Sequence, residues 1–527
     1  MTTPAAVRDE GRPSGHSDQL QRLARRGTVS VLGAAFSALA GIALVVIVTN
    51  GFSPSVAGTM FAATAAFLIL ESVALLGTDT GLVRWLPTQL ASGRSADLPR
   101  TLVVAAVPVL AFSVCVAAVV HVAAASVAPY LVGQDQAATM TGMLRVLALI
   151  LPVAALHDLT IAATRGAGSM RPTVVVDNMG RLGLQALLVL VVHLTSGGTV
   201  ALALAWALPY VPGLIISSLW LSRLVRRTTS AGGAPATGWV LLAHEFWSYT
   251  AARGIARITQ TALKRSDIVM VAALGSPAQA ALYTAASRFI VVGQLFVQSV
   301  QQALSPQMSS LFARDDAPAA HAVFQAATRW SMMLAWPLYL VTAAFASSLM
   351  GIFGPGYSSA SEVVVILSLT MLLAVACGPV DSVLLMAGRS WLSLRNSTVA
   401  LAVNVGLNLV LIPLDGIRGA ATAWAVAIVV RNLMPLFQVR RHLGMSPLTR
   451  PALLVALAAV GSFGVVGLIM MAGDLGLVVG ASLMAAAGSA YLVLLWSWRS
   501  MLGLSAFQAA LRRRPAPTGS ASRRVAT

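Results

Sequence analysis

The sequence predicts an all-α polytopic membrane protein of about fourteen transmembrane helices, built as two parallel six-helix repeats followed by two C-terminal helices. Three observations lead there. Apolar residues make up 57% of the 527-residue chain and charged residues only 10%, against roughly a quarter charged in a soluble domain. The apolar residues fall in runs of ~20 or more, the length a helix needs to cross the hydrocarbon core. A pattern that begins at Ser53 also returns 223 residues later. This composition excludes a soluble enzyme, a disordered chain and a disulfide scaffold. Cys115 and Cys377 both fall in apolar runs and read as buried small hydrophobes.

The spans are expected near 27–49, 56–77, 101–126, 140–163, 173–193, 199–222, 244–272, 278–303, 327–353, 361–387, 393–413, 418–438, 451–472 and 476–497. Backbone groups in lipid must be satisfied within the segment, and runs of this length do so as helices rather than strands. The first 26 residues are polar with five Arg, and the apolar run after them is too long for a signal-peptide core.

The net charge of +18 is distributed by topology and does not read as nucleic-acid binding. Of 35 basic residues, Lys264 is the lysine and the rest are Arg. They cluster at the N-terminus (Arg8, Arg12, Arg22, Arg25, Arg26) and in alternate loops, at Arg84, Arg94 and Arg100, then Arg165 and Arg171, then Arg223, Arg226 and Arg227. Arg314, Arg389, Arg440 and Arg441 continue the pattern to the tail (Arg512, Arg513, Arg514). On the opposite side only Arg418 appears. The excess of Arg marks the cytoplasmic side, so both termini are expected in the cytoplasm of a cell-membrane protein. The longest outer loop, from Ala128 to Thr139, is too short for a catalytic domain.

The organisation that follows is a cytoplasmic N-terminal segment (1–26), a first lobe of six spans (27–227), a second lobe of six (228–441), two extra spans (442–498) and a basic cytoplasmic tail (499–527). The repeat joins the lobes. Ser53-Pro54 and Ala57, Ala62 and Ala63 coincide with Ser276-Pro277 and Ala280, Ala285 and Ala286, and at the same offset Gly183-Leu184 falls on Gly406-Leu407. Six spans separate the copies. An even number keeps the orientation, which makes the halves parallel repeats.

Three blocks carry a family resemblance. Ser53-Pro54 with Ala57-Gly58, running on to Thr80-Gly81-Leu82-Val83-Arg84-Trp85-Leu86-Pro87, resembles the start of the polysaccharide-biosynthesis (oligosaccharide-lipid) flippases. That family lies in the multidrug/oligosaccharidyl-lipid/polysaccharide exporter superfamily. Lys264-Arg265-Ser266-Asp267 followed by Gly275-Ser276-Pro277 is similar to its seventh and eighth spans. Asn404 to Asn408 with Leu411-Ile412-Pro413 and Gly416 to Ala421 is similar to its motif around span eleven. The resemblance implies two six-helix lobes around a central cavity, and a lipid-tail groove at residues 451–497 as in the lipid II branch. It also implies that Asp267 occupies the family's acidic position.

Ionisable residues inside a membrane face a cavity or a partner. In span seven Arg253, Arg257, Gln260 and Lys264 fall on one stripe about 60° wide at 100° per residue, and Arg288 lies about ten residues into span eight. Arg pairs bidentately with phosphate oxygens, so these five are the candidate cavity residues for a diphosphate-linked glycan. Pairing with Glu71, Asp177 or Asp381 is the bland alternative. Glu71, Asp158, Asp177, Arg181, Asp267 and Asp381 are candidates for coupling or intramembrane ion pairs. Asp177 and Arg181, at i, i+4, suit a helix-internal pair. For Asp267, local charge balance with Lys264 and Arg265 is the structural alternative. His157 beside Asp158 fits a solvated cytoplasmic boundary. Asn396, Asn404 and Asn408 fit either interhelical bonds or sugar hydroxyls.

No HExxH, Walker A lysine motif or GxSxG in a suitable context appears, and no metal or cofactor is expected. The reading is a transporter, not an enzyme. The expected function is a flippase carrying a polyprenyl-diphosphate-linked oligosaccharide from the inner to the outer leaflet by alternating access. Its expected partners are that lipid-linked glycan, the bilayer, and a glycan polymerase or glycosyltransferase complex. Lipid II translocation is weakened because Gly27 to Thr49 lacks the Arg residues implied for that branch. A drug/cation antiporter should have an acidic cavity, and a membrane glycosyltransferase or ligase should show acidic catalytic residues at an interface or a large outer loop. A scaffold for a glycan-assembly complex is the remaining reading.

Overall fold

A computed structural model describes residues 16–229, 237–473 and 476–502, and among them every regular element is helical. The first half holds His16–Gly51 (α1), Pro54–Ala74 (α2), Thr78–Ala91 (α3), Leu98–Val132 (α4), Gln134–Gly166 (α5), Leu182–Leu194 (α6), Thr199–Ala207 (α7) and Tyr210–Thr229 (α8). Trp239–Leu274 (α9), Pro277–Ala313 (α10), Ala317–Ala344 (α11), Ala346–Gly351 (α12), Ser361–Ala376 (α13), Val380–Met386 (α14) and Ser390–Leu443 (α15) form the second half. Arg450–Ala459 (α16), Val465–Gly473 (α17) and Leu477–Ser497 (α18) follow, and a π-helical stretch, Thr173–Arg181, leads into α6.

Among the described residues eleven helical stretches are long and apolar enough to cross a membrane, fewer than the fourteen expected. The difference has physical causes. Helix α9 carries Arg253, Arg257, Lys264, Arg265 and Asp267, and α11 carries Arg329, so neither has a wholly apolar stretch. Helix α15 runs through two expected spans as one 54-residue element, broken at Asp415 and at Gly416, whose φ is +52°. Two expected loops also differ. The segment carrying Arg84 is helix α3, and the expected outer loop from Ala128 to Thr139 shrinks to a turn at Gly133, φ +75°. The tail arginines Arg512, Arg513 and Arg514, with Arg8 and Arg12, lie outside the described residues.

The two copies of the Ser-Pro pattern fold alike. Ser53 caps α2 by accepting the Val56 amide, and Ser276 caps α10 by accepting the Gln279 amide. Each Pro takes the first turn, where no amide hydrogen bond is lost. The matched alanines, Ala62 and Ala63 on α2 and Ala285 and Ala286 on α10, are fully buried, and α2 packs against α10. Small side chains let helices approach closely where lipid supplies no hydrophobic drive. The closest approach is at Gly58, where a Cβ would collide with the Pro277 carbonyl. At the other end of α2, Gly77 (φ +82°) meets Gly254 of α9 in the same way. The two halves therefore touch at both ends of α2.

The outside is apolar. Val119, Val122 and Tyr130 on α4, Leu468 on α17 and Leu492 on α18 are all more than half exposed, as lipid-facing side chains should be. Cys115 on α4 is exposed too, contrary to its expected burial, while Cys377 is buried. The C-terminal helices dock on α11, where Tyr491 donates to the Met333 carbonyl at 3.1 Å and stacks edge-on with Phe463.

Candidate functional site

Between the halves lies a cavity of about 730 Å³, walled by α1, α2, the end of α5, the π-helical stretch, Tyr210, α9 and α10. Its position follows from the fold. The seams at Gly58 and Gly77 bring α2 onto α10 and α9, and the space left beside them is filled by neither half.

Charge is divided across this space. From α9 and α10 come Arg257, Lys264, Arg265 and Arg288, and from the first half Glu71, Asp158, Arg165 and Arg181. Arg257 reaches Asp79 on α3, Nε to Oδ2 3.4 Å, so its partner is a residue outside the expected set of Glu71, Asp177 and Asp381. Arg181 donates through Nε to Asp177 Oδ1 at 2.6 Å and lies over the Tyr210 ring, its guanidinium carbon 4.7 Å from the centroid. The expected i, i+4 pair is thus present, in a π-helical turn.

Lys264, Arg265 and Arg288 differ from these. Among the described residues none has a carboxylate partner. Their charged neighbours are one another and further cations. Lys264 faces Arg431, Arg257 and Arg265, and Arg288 faces Arg265. Arg288 donates Nε to its own helix, at the Thr284 carbonyl. Lys264 is exposed to the cavity and Arg265 and Arg288 partly so, and like charges gathered inside a membrane protein without counterions are costly. An anion with several oxygens removes that cost.

The remaining expected residues scatter. Arg253 and Gln260 are not on the cavity wall; Arg253 lies over the Tyr249 ring, which Arg84 also covers. Asp267 is buried away from the cavity and satisfied by neutral donors, Asn408 Nδ2 at 2.7 Å and Tyr283 Oη at 3.3 Å. Charge balance with Lys264 and Arg265 is therefore not its role. Asp381, on α14, has Arg431 as a charged neighbour. Asn396 exchanges two amide hydrogen bonds of 2.8 Å with Gln438, and Asn404 accepts from Asn408. The three asparagines bond within the protein. His157 is fully buried, Nε2 3.5 Å from Asp177 Oδ1, which corrects the expected solvated boundary.

Sequence reasoning missed Arg265, Arg165 and Asp79. Arg257, Thr261, Lys264, Arg265 and Ile268 line the cavity; this i, i+4, i+7, i+8, i+11 pattern was the available signal.

A second polar cluster ties the start of α9 to the first half. Asp97 accepts from the Thr237 amide and hydroxyl, both at 2.6 Å, and Arg94 bridges Asp97 and Glu245. Arg100 donates to the Thr237 carbonyl at 2.8 Å.

Comparison with known proteins agrees with this architecture. A family model described as polysaccharide biosynthesis protein matches residues 60–362. The probable low-salt glycan biosynthesis flippase Agl15 of Haloferax volcanii is 27% identical over 176 residues, 32% of this chain and 36% of the relative. The match thus spans about a third of that relative's length. Among solved structures, the lipid II flippase MurJ in an inward closed conformation superposes with a TM-score of 0.66 at 13% identity, covering 89% of this chain and 99% of that one. An inward-facing multidrug resistance MATE family transporter of the MOP superfamily gives 0.63 at 14%, covering 77% and 94%. At these identities the likeness is one of fold.

Proposed function

The chain belongs to the polysaccharide biosynthesis protein family, and from that premise we propose that it is a flippase for a polyprenyl-diphosphate-linked oligosaccharide. The cargo moves from the inner to the outer leaflet of the cell membrane by alternating access. The observation that carries this reading is the group Lys264, Arg265 and Arg288, cavity cations that lack a carboxylate partner. A diphosphate diester offers the oxygens to pair with them, bidentately at the two arginines.

The first lobe (27–227) and the second (228–441) rock about the cavity while the polyprenyl tail stays in lipid. Both termini face the cytoplasm. Arg257 belongs to the same cationic wall, its bond to Asp79 opening when the lobes part. A drug/cation carrier would need the opposite polarity on this wall. Support also comes from Agl15, named as a glycan biosynthesis flippase.

The test is mass spectrometry of polyprenyl-diphosphate glycans after depletion of this protein in its host, with an enzyme probe for the leaflet that holds them. The expected result is one completed lipid-linked oligosaccharide accumulating on the cytoplasmic side. An unchanged lipid pool in both leaflets would overturn the proposal.

A further inference from the structure

Beside the cavity, behind Arg181, the structure holds a buried histidine that anion binding does not use. His157 on α5 is fully buried, and neither ring nitrogen has a hydrogen-bond partner. Its ring meets Tyr210 edge-on, centroids 5.7 Å apart. Gly213 leaves it room, since a Cβ there would stand 2.9 Å from His157 Cε1. The carboxylate oxygen within ion-pair distance of its Nε2 is Asp177 Oδ1, at 3.5 Å, and that is the oxygen Arg181 Nε holds at 2.6 Å. Arg181 in turn is on the cavity wall.

We propose that His157 is a proton-binding site coupled to the anion cavity, in which the imidazolium and the Arg181 guanidinium compete for Asp177 Oδ1. This rests on the reading of the cavity as an anion carrier. The proton arrives from the cavity, past Asp158, and settles on Nε2. The imidazolium then draws on Asp177 and loosens its hold on Arg181, which turns to the diphosphate. Binding of the diphosphate to Arg181 likewise frees Asp177 for the imidazolium. Proton and anion therefore favour each other's binding, by the same factor in each direction.

The surroundings support this assignment. The π-helical stretch brings Asp177 and Arg181, α8 brings Tyr210, and Asp158 follows His157 on its own helix. Glu71 of α2 and Arg257 of α9 reach Asp158 electrostatically. From α3, Asp79 is engaged by Arg257 and Arg84 lies over Tyr249. Helix α7 has no charged side chain. Helices α4 and α5 turn back at Gly133, so His121 of α4 stands opposite residues near 145, about three turns from His157. His157, Asp158 and Asp177 also present ligand atoms within 4.8 Å of one another. Arg181 already fills the cationic place on Asp177, which makes a proton a better fit than a metal ion.

The experiment is calorimetry on the full chain in nanodiscs with farnesyl-diphospho-N-acetylglucosamine, whose diphosphate diester does not titrate near neutral pH. The measurements run from about pH 5 to 8. The wild type should bind about tenfold more tightly at the lower end of that range than at the upper. It should also take up protons on binding, read from buffers of different ionisation enthalpy. His157→Gln, and His157→Asn as a second variant, should bind without proton uptake and with a flat pH profile. Arg257→Ala should weaken binding and keep the slope. A wild-type slope that persists in both His157 variants overturns the proton site alone. Failure of the wild type to bind the probe at any pH overturns the anion-carrier reading as well.

Discussion

Arg257 Nε stands 3.4 Å from Asp79 Oδ2, so one ion pair joins α9 to α3 across the two halves beside the cavity. The Arg257 side chain keeps 44% of its exposure. A pair this open contributes about 0–1 kcal/mol and cannot hold the halves together by itself. Asp79→Asn should therefore leave membrane abundance unchanged. Arg257→Ala should lower glycan export about tenfold or more, the cost of one charge-assisted contact to the cargo. Leaflet-resolved mass spectrometry of the lipid-linked glycan reads both.

The cations without partners give a sharper test, because binding and stability should move in opposite senses. Lys264→Ala, Arg265→Ala and Arg288→Ala each remove one of a set of repelling charges. Each should lower export about ten- to hundredfold, while the thermal midpoint of the purified protein stays level or rises. If these charges were structural, the midpoint would fall with export. Arg253→Ala should cost far less, since that guanidinium lies over Tyr249 and away from the cavity.

Much of the fold was legible because lipid imposes a length on every span, and the Ser-Pro pattern announced both capped helices. The cavity face was legible only in part. A stripe drawn from Arg253 to Lys264 is centred about 60° from the arc that Arg257, Thr261, Lys264, Arg265 and Ile268 occupy. It therefore takes in Gln260 and leaves out Arg265. Charge position alone cannot set that angle; packing against α2 and α15 does. Asp79 escaped notice because an amphipathic helix with Arg84, Pro87 and Gln89 reads as a loop between apolar runs. His157 looked like a boundary residue, and burial under Tyr210 and Gly213 depends on α8, some fifty residues on.

Contact between the halves at Gly58 can be tested separately from the charges. A Cβ at that position meets the Pro277 carbonyl, which belongs to a helix start and cannot swing aside. Gly58→Val should wedge α2 from α10 and abolish export while the protein still reaches the membrane. Gly406→Ala, where nothing lies within 4 Å, should be silent. A cysteine pair placed across the α2–α10 seam should cross-link less readily in Gly58→Val than in the parent. Equal cross-linking would show that the seam tolerates the side chain.

Asn396 and Gln438 lock two stretches of α15 on either side of its break by a reciprocal amide pair, both bonds 2.8 Å and both side chains buried. Each amide satisfies the other, so removing one leaves the other's donor and acceptor buried without a partner. Asn396→Ala or Gln438→Ala should each cost about 1–2 kcal/mol in the membrane. The double variant Asn396→Leu with Gln438→Leu removes both unsatisfied groups and should recover most of that loss. The recovery is read as thermal midpoint in one lipid composition, and export by the double variant separates a structural pair from a sugar-binding one. If these amides bonded cargo hydroxyls, the double variant would regain stability and still fail to export; if they serve only to join the helix segments, export should return with stability.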